Sequence, residues 1–412
     1  MRDIKVVKAE IDKQLGLSAD SISVVSLVDL FIEYAYSSNA SDVHVHPAAD
    51  GVRVRFRIDG LLRDVFPKEK ITKDLHQELI SRIKVISGLR TDEHSLPQDG
   101  RFRVKLANAE EVDVRVSIMP TYHGENAVMR ILAESRGFDV KSLGFSPKDE
   151  EKVRHAIRKP YGMILAAGPT SSGKTTTLYT FLKELNHPES SIITIEDPLE
   201  YSLEGTTQIQ VDDKTGLTFA SGLRSILRQD PNTVMVGEIR DEETAAIAVN
   251  AALTGHLVLS TLHTNDSATT FPRLIDMGVQ PFLVASTVNI AVGQRLVRKI
   301  CEFCKAERVL TDAEVVSLAE IFPKDTLLKT KKFFKGEGCD KCSGTGYEGR
   351  VGIREVLEVT NDIRQLILRR ASSQEIAEAA VKAGMTTMLM DGIQKAAKGM
   401  TTIEEVLRII HE

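Results

Sequence analysis

No stretch of the 412-residue chain approaches about 18 consecutive apolar residues, which excludes a transmembrane helix. Residues 1–17 are charged throughout and have no apolar centre, so they do not read as a secretory signal. An excess of basic charge is also missing. Lys and Arg number 53 against 58 Asp and Glu, and the net charge of −5 is spread evenly along the chain. No segment is basic enough for a general nucleic-acid binder. Cysteine is scarce: the chain has four, all between positions 301 and 342. Without a signal the compartment reads as reducing, which argues against structural disulfides.

What is present is 42% hydrophobic and 27% charged, so wholesale disorder is excluded. The length suggests two or three domains. Residues 1–20 read as a polar leader with a frayed helix. Residues 21–133 read as a small α+β domain. It has an amphipathic helix near Ser26–Ala35, alternating strands at 41–46, 51–60, 100–106, 111–117 and 124–132, and a helix near 74–87. Residues 134–147 carry Gly137, Gly144 and Pro147 and read as a linker. From 148 to 300, apolar runs alternate with helical patterns, as in a covered, mainly parallel sheet. Residues 301–352 form a cysteine segment, and 353–412 read as short helices with capping boxes at Ser372/Glu375 and Thr402/Glu405.

Gly168-Pro169-Thr170-Ser171-Ser172-Gly173-Lys174-Thr175, followed by Thr176, fits the phosphate-binding P-loop pattern. An apolar strand, Met163–Ala167, precedes it and a helical pattern follows. Its glycines let backbone N–H groups turn toward phosphate oxygens, and the helix N-terminus adds a positive field. Lys174 is placed for the β- and γ-phosphates of ATP, and the Thr175 hydroxyl for Mg²⁺. Two apolar strands end in carboxylates: 192–197 in Glu196 and Asp197, and 234–238 in Glu238. His256 and His263 flank a third strand, and two histidines on that sheet could serve a γ-phosphate or simply pack. Asp42, His44 and His46 alternate onto one strand face, which reads as a solvated or packed face rather than a metal site. Cys301/Cys304 and Cys339/Cys342 are two CxxC pairs with 34 residues between them. Two such pairs can close a tetrahedral Zn²⁺ site with no open position. A helical pattern near 312–321 lies in the inserted arm.

These motifs resemble the GspE/PilB family, the hexameric motor ATPases of type II secretion and type IV pilus assembly. The P-loop resembles its Walker A, Thr194–Tyr201 its aspartate box, Leu227–Asp241 its Walker B region and Thr254–Asn265 its histidine box. Ser41–His44 and Arg57–Gly60 resemble motifs of the domain before the motor. The resemblance covers roughly residues 21–412. It implies a RecA-like P-loop domain preceded by a PAS-like α+β domain, a zinc-binding tetracysteine arm and a helical C-terminal region.

The resemblance also implies roles. Glu196 matches a water-activating glutamate, Glu238 a glutamate on the Mg²⁺ side with Thr175, and His263 a γ-phosphate sensor. Arg115 and Arg130 match arginines of the preceding domain that reach the nucleotide, and Arg224, Arg228 and Arg240 match arginines around it. The cysteines resemble those of assembly and secretion motors, which retraction motors lack. The expected protein is a cytoplasmic homohexameric ATPase, peripheral at the inner membrane. It would power addition of pilus or pseudopilus subunits through a membrane platform protein, without binding nucleic acid directly. A DNA-transfer or conjugation ATPase is the alternative, and a zinc-stabilised scaffold with a degenerate P-loop is the rival from another class. About 20 residues precede the resembling region, where this branch leads one to expect a further docking domain.

Overall fold

The computed structural model describes residues 2–18, 21–66, 71–106, 111–132, 139–212, 214–311, 314, 315, 318 and 332–411. It divides into two compact units, 1–134 and 135–412. Among the described residues no helix is long and apolar enough to cross a membrane.

The first unit holds six antiparallel strands: β1 (Ala40–Ala48), β2 (Gly51–Ile58), β3 (Leu61–Asp64), β4 (Gln98–Lys105), β5 (Glu111–Thr121) and β6 (Gly124–Leu132). Their order is β3-β2-β1-β6-β5-β4. Alternation turns Val43, Val45, Val54, Phe56, Val114, Val116 and Met129 to one face. Leu27 and Phe31 of helix Val24–Ser37 and Leu79 and Ile83 of helix Lys73–Ile86 share that core. Ser23 and Thr72 cap these helices at their starts. The expected polar leader is instead a regular helix, Ile4–Leu15, whose Val7, Ile11 and Leu15 are buried in the same core. Those three positions lie four apart, on one helical face, and the surrounding charges mask the pattern.

The second unit is built on a seven-stranded sheet in the order β15-β12-β7-β11-β10-β8-β9. Its strands are β7 (Gly162–Ala167), β8 (Ile192–Glu196), β9 (Thr207–Gln210), β10 (Thr233–Val236), β11 (Leu257–Leu262), β12 (Val288–Ile300) and β15 (Tyr347–Glu358). A separate two-stranded ribbon pairs β13 (Lys305–Val309) with β14 (Lys332–Gly336). All pairings of the large sheet are parallel except β12 with β15. Both faces are covered. Ile164, Met235 and Leu259 meet Leu178 and Phe181 of helix Lys174–Leu185 on one side. Met163, Val234 and Val258 meet Ala248 and Val249 of helix Glu242–Leu253 on the other. This accounts for the apolar runs read in the sequence.

The C-terminal part is less purely helical than expected, because β15 runs across residue 352 and closes one edge of the large sheet. Helices Asn361–Leu368, Ser373–Lys382, Met388–Ala397 and Ile403–His411 follow it. The helical pattern expected near 312–321 falls almost wholly outside the described residues.

Candidate nucleotide site and cysteine cluster

Strand β7 feeds directly into the phosphate-binding loop. Gly173 sits at φ 86° and Gly168 at φ 152°. A Cβ on Gly168 would lie 2.5 Å from Ser172 Oγ and 2.6 Å from the Gln294 carbonyl oxygen, so the loop closes only around glycine. Lys174 opens the following helix. Its Nζ donates to the carbonyls of Gly168 (2.8 Å) and Pro169 (2.9 Å), which parks the ammonium in the loop's mouth. Burial pushes Lys174 down to about 8, although the nearby Glu238 opposes that shift. Gln294 is fully buried on β12 beneath the loop. Its amide nitrogen donates to the Ser172 carbonyl (2.9 Å) and its oxygen accepts from Thr177 Oγ1 (2.8 Å). Nothing in the spacing of the motif signalled Gln294, which lies 120 residues from Lys174 in sequence but on the strand that pairs with β7.

The carboxyl ends of β8, β10 and β11 bring a charged row together. Glu238 lies 3.1 Å from His263 Nε2 and 2.5 Å from Arg240 Nη2. Arg240 reaches on to Asp197 at 3.8 Å. The row is held by β11 hydroxyls: Ser260 donates to the Val236 carbonyl and Thr261 to the Gly237 carbonyl, both at 2.7 Å. Strand ends of this kind are where open α/β sheets bind ligands.

Glu196 does not join this row. Successive strand residues point to opposite faces, and here Asp197 is the one that meets Arg240. The Glu196 carboxylate is 2% exposed. It accepts hydrogen bonds from Tyr179 Oη, Thr194 Oγ1 (2.6 Å) and Gln208 Nε2 (3.3 Å). Burial raises its proton affinity, which the three donors partly offset. Tyr179 lies five residues after Lys174, inside a helical stretch that reads simply as core.

Arg224 pairs with Glu243, and Arg228 donates to the Arg224 carbonyl (2.9 Å) and to Ser225 Oγ (3.3 Å). Among the described residues neither bonds to a member of the charged row. His256 sits at the opposite end of β11 from His263, with Nδ1 3.0 Å from the Ala251 carbonyl, a local helix-end contact. In the first unit, Arg115 on β5 stands directly across from Arg130 on β6. Arg130 Nε lies 2.9 Å from Asp42, which also faces Arg57 at 3.5 Å. His46 turns to Asn126 at 3.3 Å. Asp42, His44 and His46 therefore do not gather into a metal site among the described residues.

The antiparallel pairing of β12 with β15 closes the gap between the two CxxC pairs. The sulfurs of Cys301, Cys304, Cys339 and Cys342 all lie within 4.8 Å of one another. The Cys301–Cys339, Cys304–Cys342 and Cys339–Cys342 separations are 3.9, 3.8 and 3.7 Å. Tetrahedral zinc with bonds near 2.3 Å requires sulfurs about 3.8 Å apart. The Cys342 sulfur accepts from the backbone N–H groups of Cys339 and Gly346, both at 3.2 Å, an arrangement suited to a thiolate. The donor set fits a structural zinc ion.

Comparison with known proteins agrees with this geometry. The family model described as "Type II/IV secretion system protein" matches residues 18–408. The type IV pilus assembly ATPase PilB of Myxococcus xanthus is 44% identical over 409 residues, spanning 98% of this chain and 71% of that protein. The type II secretion system ATPase E of Vibrio cholerae is 43% identical over 396 residues, spanning 96% of this chain and 77% of its own. A crystal structure of the pilus retraction motor PilT with bound ADP superimposes with a TM-score of 0.63 at 26% identity, covering 92% of this chain and 96% of that one.

Proposed function

This chain belongs to the type II/IV secretion system protein family, and from that premise we propose that it is a Mg²⁺-dependent ATPase that drives assembly of pilus or pseudopilus subunits. The observation that carries the reading is the P-loop with Lys174 at its mouth, beside the Glu238–His263–Arg240 row. Backbone N–H groups of Gly168–Thr176 cradle the phosphates, and Lys174 moves from the loop carbonyls to the β- and γ-phosphates. Thr175 and Glu238 are the residues that would hold Mg²⁺, which would supply neutralisation of phosphate charge there. Glu238 also orients the attacking water, and His263 follows the γ-phosphate through its contact with Glu238. Arg240, Arg115 and Arg130 supply permanent planar cations for the charge that spreads in the transition state. Arg224, paired with Glu243, and Arg228, bonded to the Arg224 carbonyl, would add positive charge around the nucleotide.

Glu196, enclosed by Tyr179, Thr194 and Gln208, has a positioning part. It ties helix Lys174–Leu185 to β8 and β9, and so braces the loop from behind. Cys301, Cys304, Cys339 and Cys342 would hold zinc, which would tie the end of β12 to the turn before β15. In this reading the chain works as a cytoplasmic homohexamer, attached to the inner membrane through a platform protein. Lys174→Ala abolishes ATP hydrolysis by the purified protein; ordinary turnover in that variant sinks the assignment. Strong, salt-sensitive stimulation by DNA would favour the DNA-transfer alternative.

A further inference from the structure

Arg295 follows Gln294 on β12, immediately beside the root of the phosphate loop. Gly293 is the residue that pairs with Ala167, the last residue of β7, so β12 continues past the point where the loop begins. Gln294 and Arg295 point to opposite faces. Gln294 turns under the loop, toward Thr177. Arg295 turns to the face on which Glu355 and the segment after His263 lie. A Cβ on Gly293, on that same face, would meet Glu355 Oε1 at 2.9 Å and Ser267 N at 3.0 Å.

This guanidinium is half-buried and poorly compensated. Among the described residues no carboxylate lies within 4 Å of it, and its hydrogen bond is a long one, 3.5 Å from Nη1 to the Gln294 carbonyl. Two carboxylates attract it from further away, Asp266 and Glu355. Both already have other donors. Asp266 accepts from Thr269 N (2.7 Å). Glu355 accepts from Ser267 N (2.8 Å), Ser267 Oγ (2.7 Å) and Met388 N (3.2 Å). Arg295 is also close enough to Lys174 for the two cations to repel, and burial weakens its hold on its own proton. A partly desolvated cation set beside a second one, with no paired anion, costs stability unless an anion arrives.

We propose that Arg295 is a nucleotide-contacting residue that binds the γ-phosphate end of ATP, opposite Lys174. Three placements point to that end of the nucleotide rather than to the base. Arg295 shares its surroundings with Lys174, Asp266 lies three residues after His263, and Glu238 of the charged row faces Lys174. A planar guanidinium presents two parallel N–H groups in a fixed fork to two γ-oxygens, whereas an ammonium acts as a compact point charge with freely rotating donors. The inference rests on the nucleotide-site reading given above.

The test compares the unaltered chain with Arg295→Gln and Arg295→Lys. Affinities for Mg-ADP and for a non-hydrolysable Mg-ATP analogue are measured by displacement of a fluorescent nucleotide, alongside steady-state ATPase kinetics. The expected result for Arg295→Gln is at least a tenfold loss of affinity for the triphosphate, with ADP affinity held within twofold. Arg295→Lys recovers part of the preference for the triphosphate. A purely structural role instead weakens both nucleotides together in both variants, and that outcome overturns the proposal, as does unchanged affinity for both. If Arg295→Gln does not fold, Arg295→Lys decides alone: equal losses for ADP and triphosphate overturn the idea. Should the unaltered chain bind neither nucleotide, the nucleotide-site reading itself has failed, and the role of Arg295 falls with it.

Discussion

His263 Nε2 lies 3.1 Å from Glu238 Oε2, so the ends of neighbouring strands β11 and β10 are joined through one imidazole–carboxylate contact. On its other oxygen Glu238 is held by Arg240. One carboxylate is thus oriented from two sides before any nucleotide arrives, and such preorganisation is what a phosphoryl-transfer site requires.

Glu238→Gln keeps the shape of that contact and removes the charge. ATP binding should persist while kcat falls by about a hundredfold or more. His263→Ala should leave Glu238 held by Arg240 alone and lower kcat by a smaller factor, about tenfold. Single-turnover measurement separates the two steps. A Glu238→Gln protein that turns over normally would exclude this carboxylate from the chemistry.

Lys174 titrates near 8 in the chain without nucleotide, because burial disfavours its charge. Phosphate oxygens favour the charged form and raise it again. At pH 8 about half of the molecules hold a neutral Lys174, so nucleotide binding should take up about half a proton there and almost none at pH 6. Calorimetry in buffers of different ionisation heat measures this directly. Equal uptake at both pH values, or unchanged uptake in Lys174→Ala, contradicts the account.

The four cysteines should hold one zinc ion per chain, released by chelation or by a thiol-reactive mercurial and counted colorimetrically. Cys339→Ser should lose the metal and lower the unfolding temperature of the second unit, since structural zinc contributes directly to folding. Metal-free protein of unaltered stability would show the cluster to be idle.

Glu405 has a 2%-exposed side chain between Arg298 (2.6 Å) and Arg408 (2.9 Å). Burial alone would push its carboxyl up, but hydrogen bonds from Arg298 and Arg408 outweigh this and bring it from 4.5 down to about 2. A depressed carboxyl stabilises the fold above its unfolded value, and that stability is lost as pH falls from 4.5 toward 2. Glu405→Gln should therefore cost about 3 kcal/mol at pH 7, and the difference from the unaltered chain should fade below pH 4. Unfolding temperatures across that range check both halves of the statement.

Much of this architecture is legible in the residues themselves. Apolar residues alternating with Arg along 51–58, and with Glu, Asp, Arg and Ser along 111–118, prescribe strands with one wet face, and the runs at 163–167, 233–236 and 257–262 prescribe strands covered on both sides. The P-loop is a local device. Its glycines, lysine and helix start are contiguous, so sequence alone suffices to place them. The cysteine spacing likewise announces four thiol ligands.

The choice between Glu196 and Glu238 is different in kind. Both end apolar strands, and only the pleat of β8 against β9 and the presence of Tyr179 and Gln208 turn Glu196 inward. The same holds for Gln294 and Arg295, distant from the loop in sequence and adjacent to it because β12 pairs with β7. Helix Ile4–Leu15 became part of the first core through a narrow stripe of three side chains amid charge. Local pattern determines what the backbone does over a few residues. Which side chain faces which depends on strand order and register, which long-range packing sets.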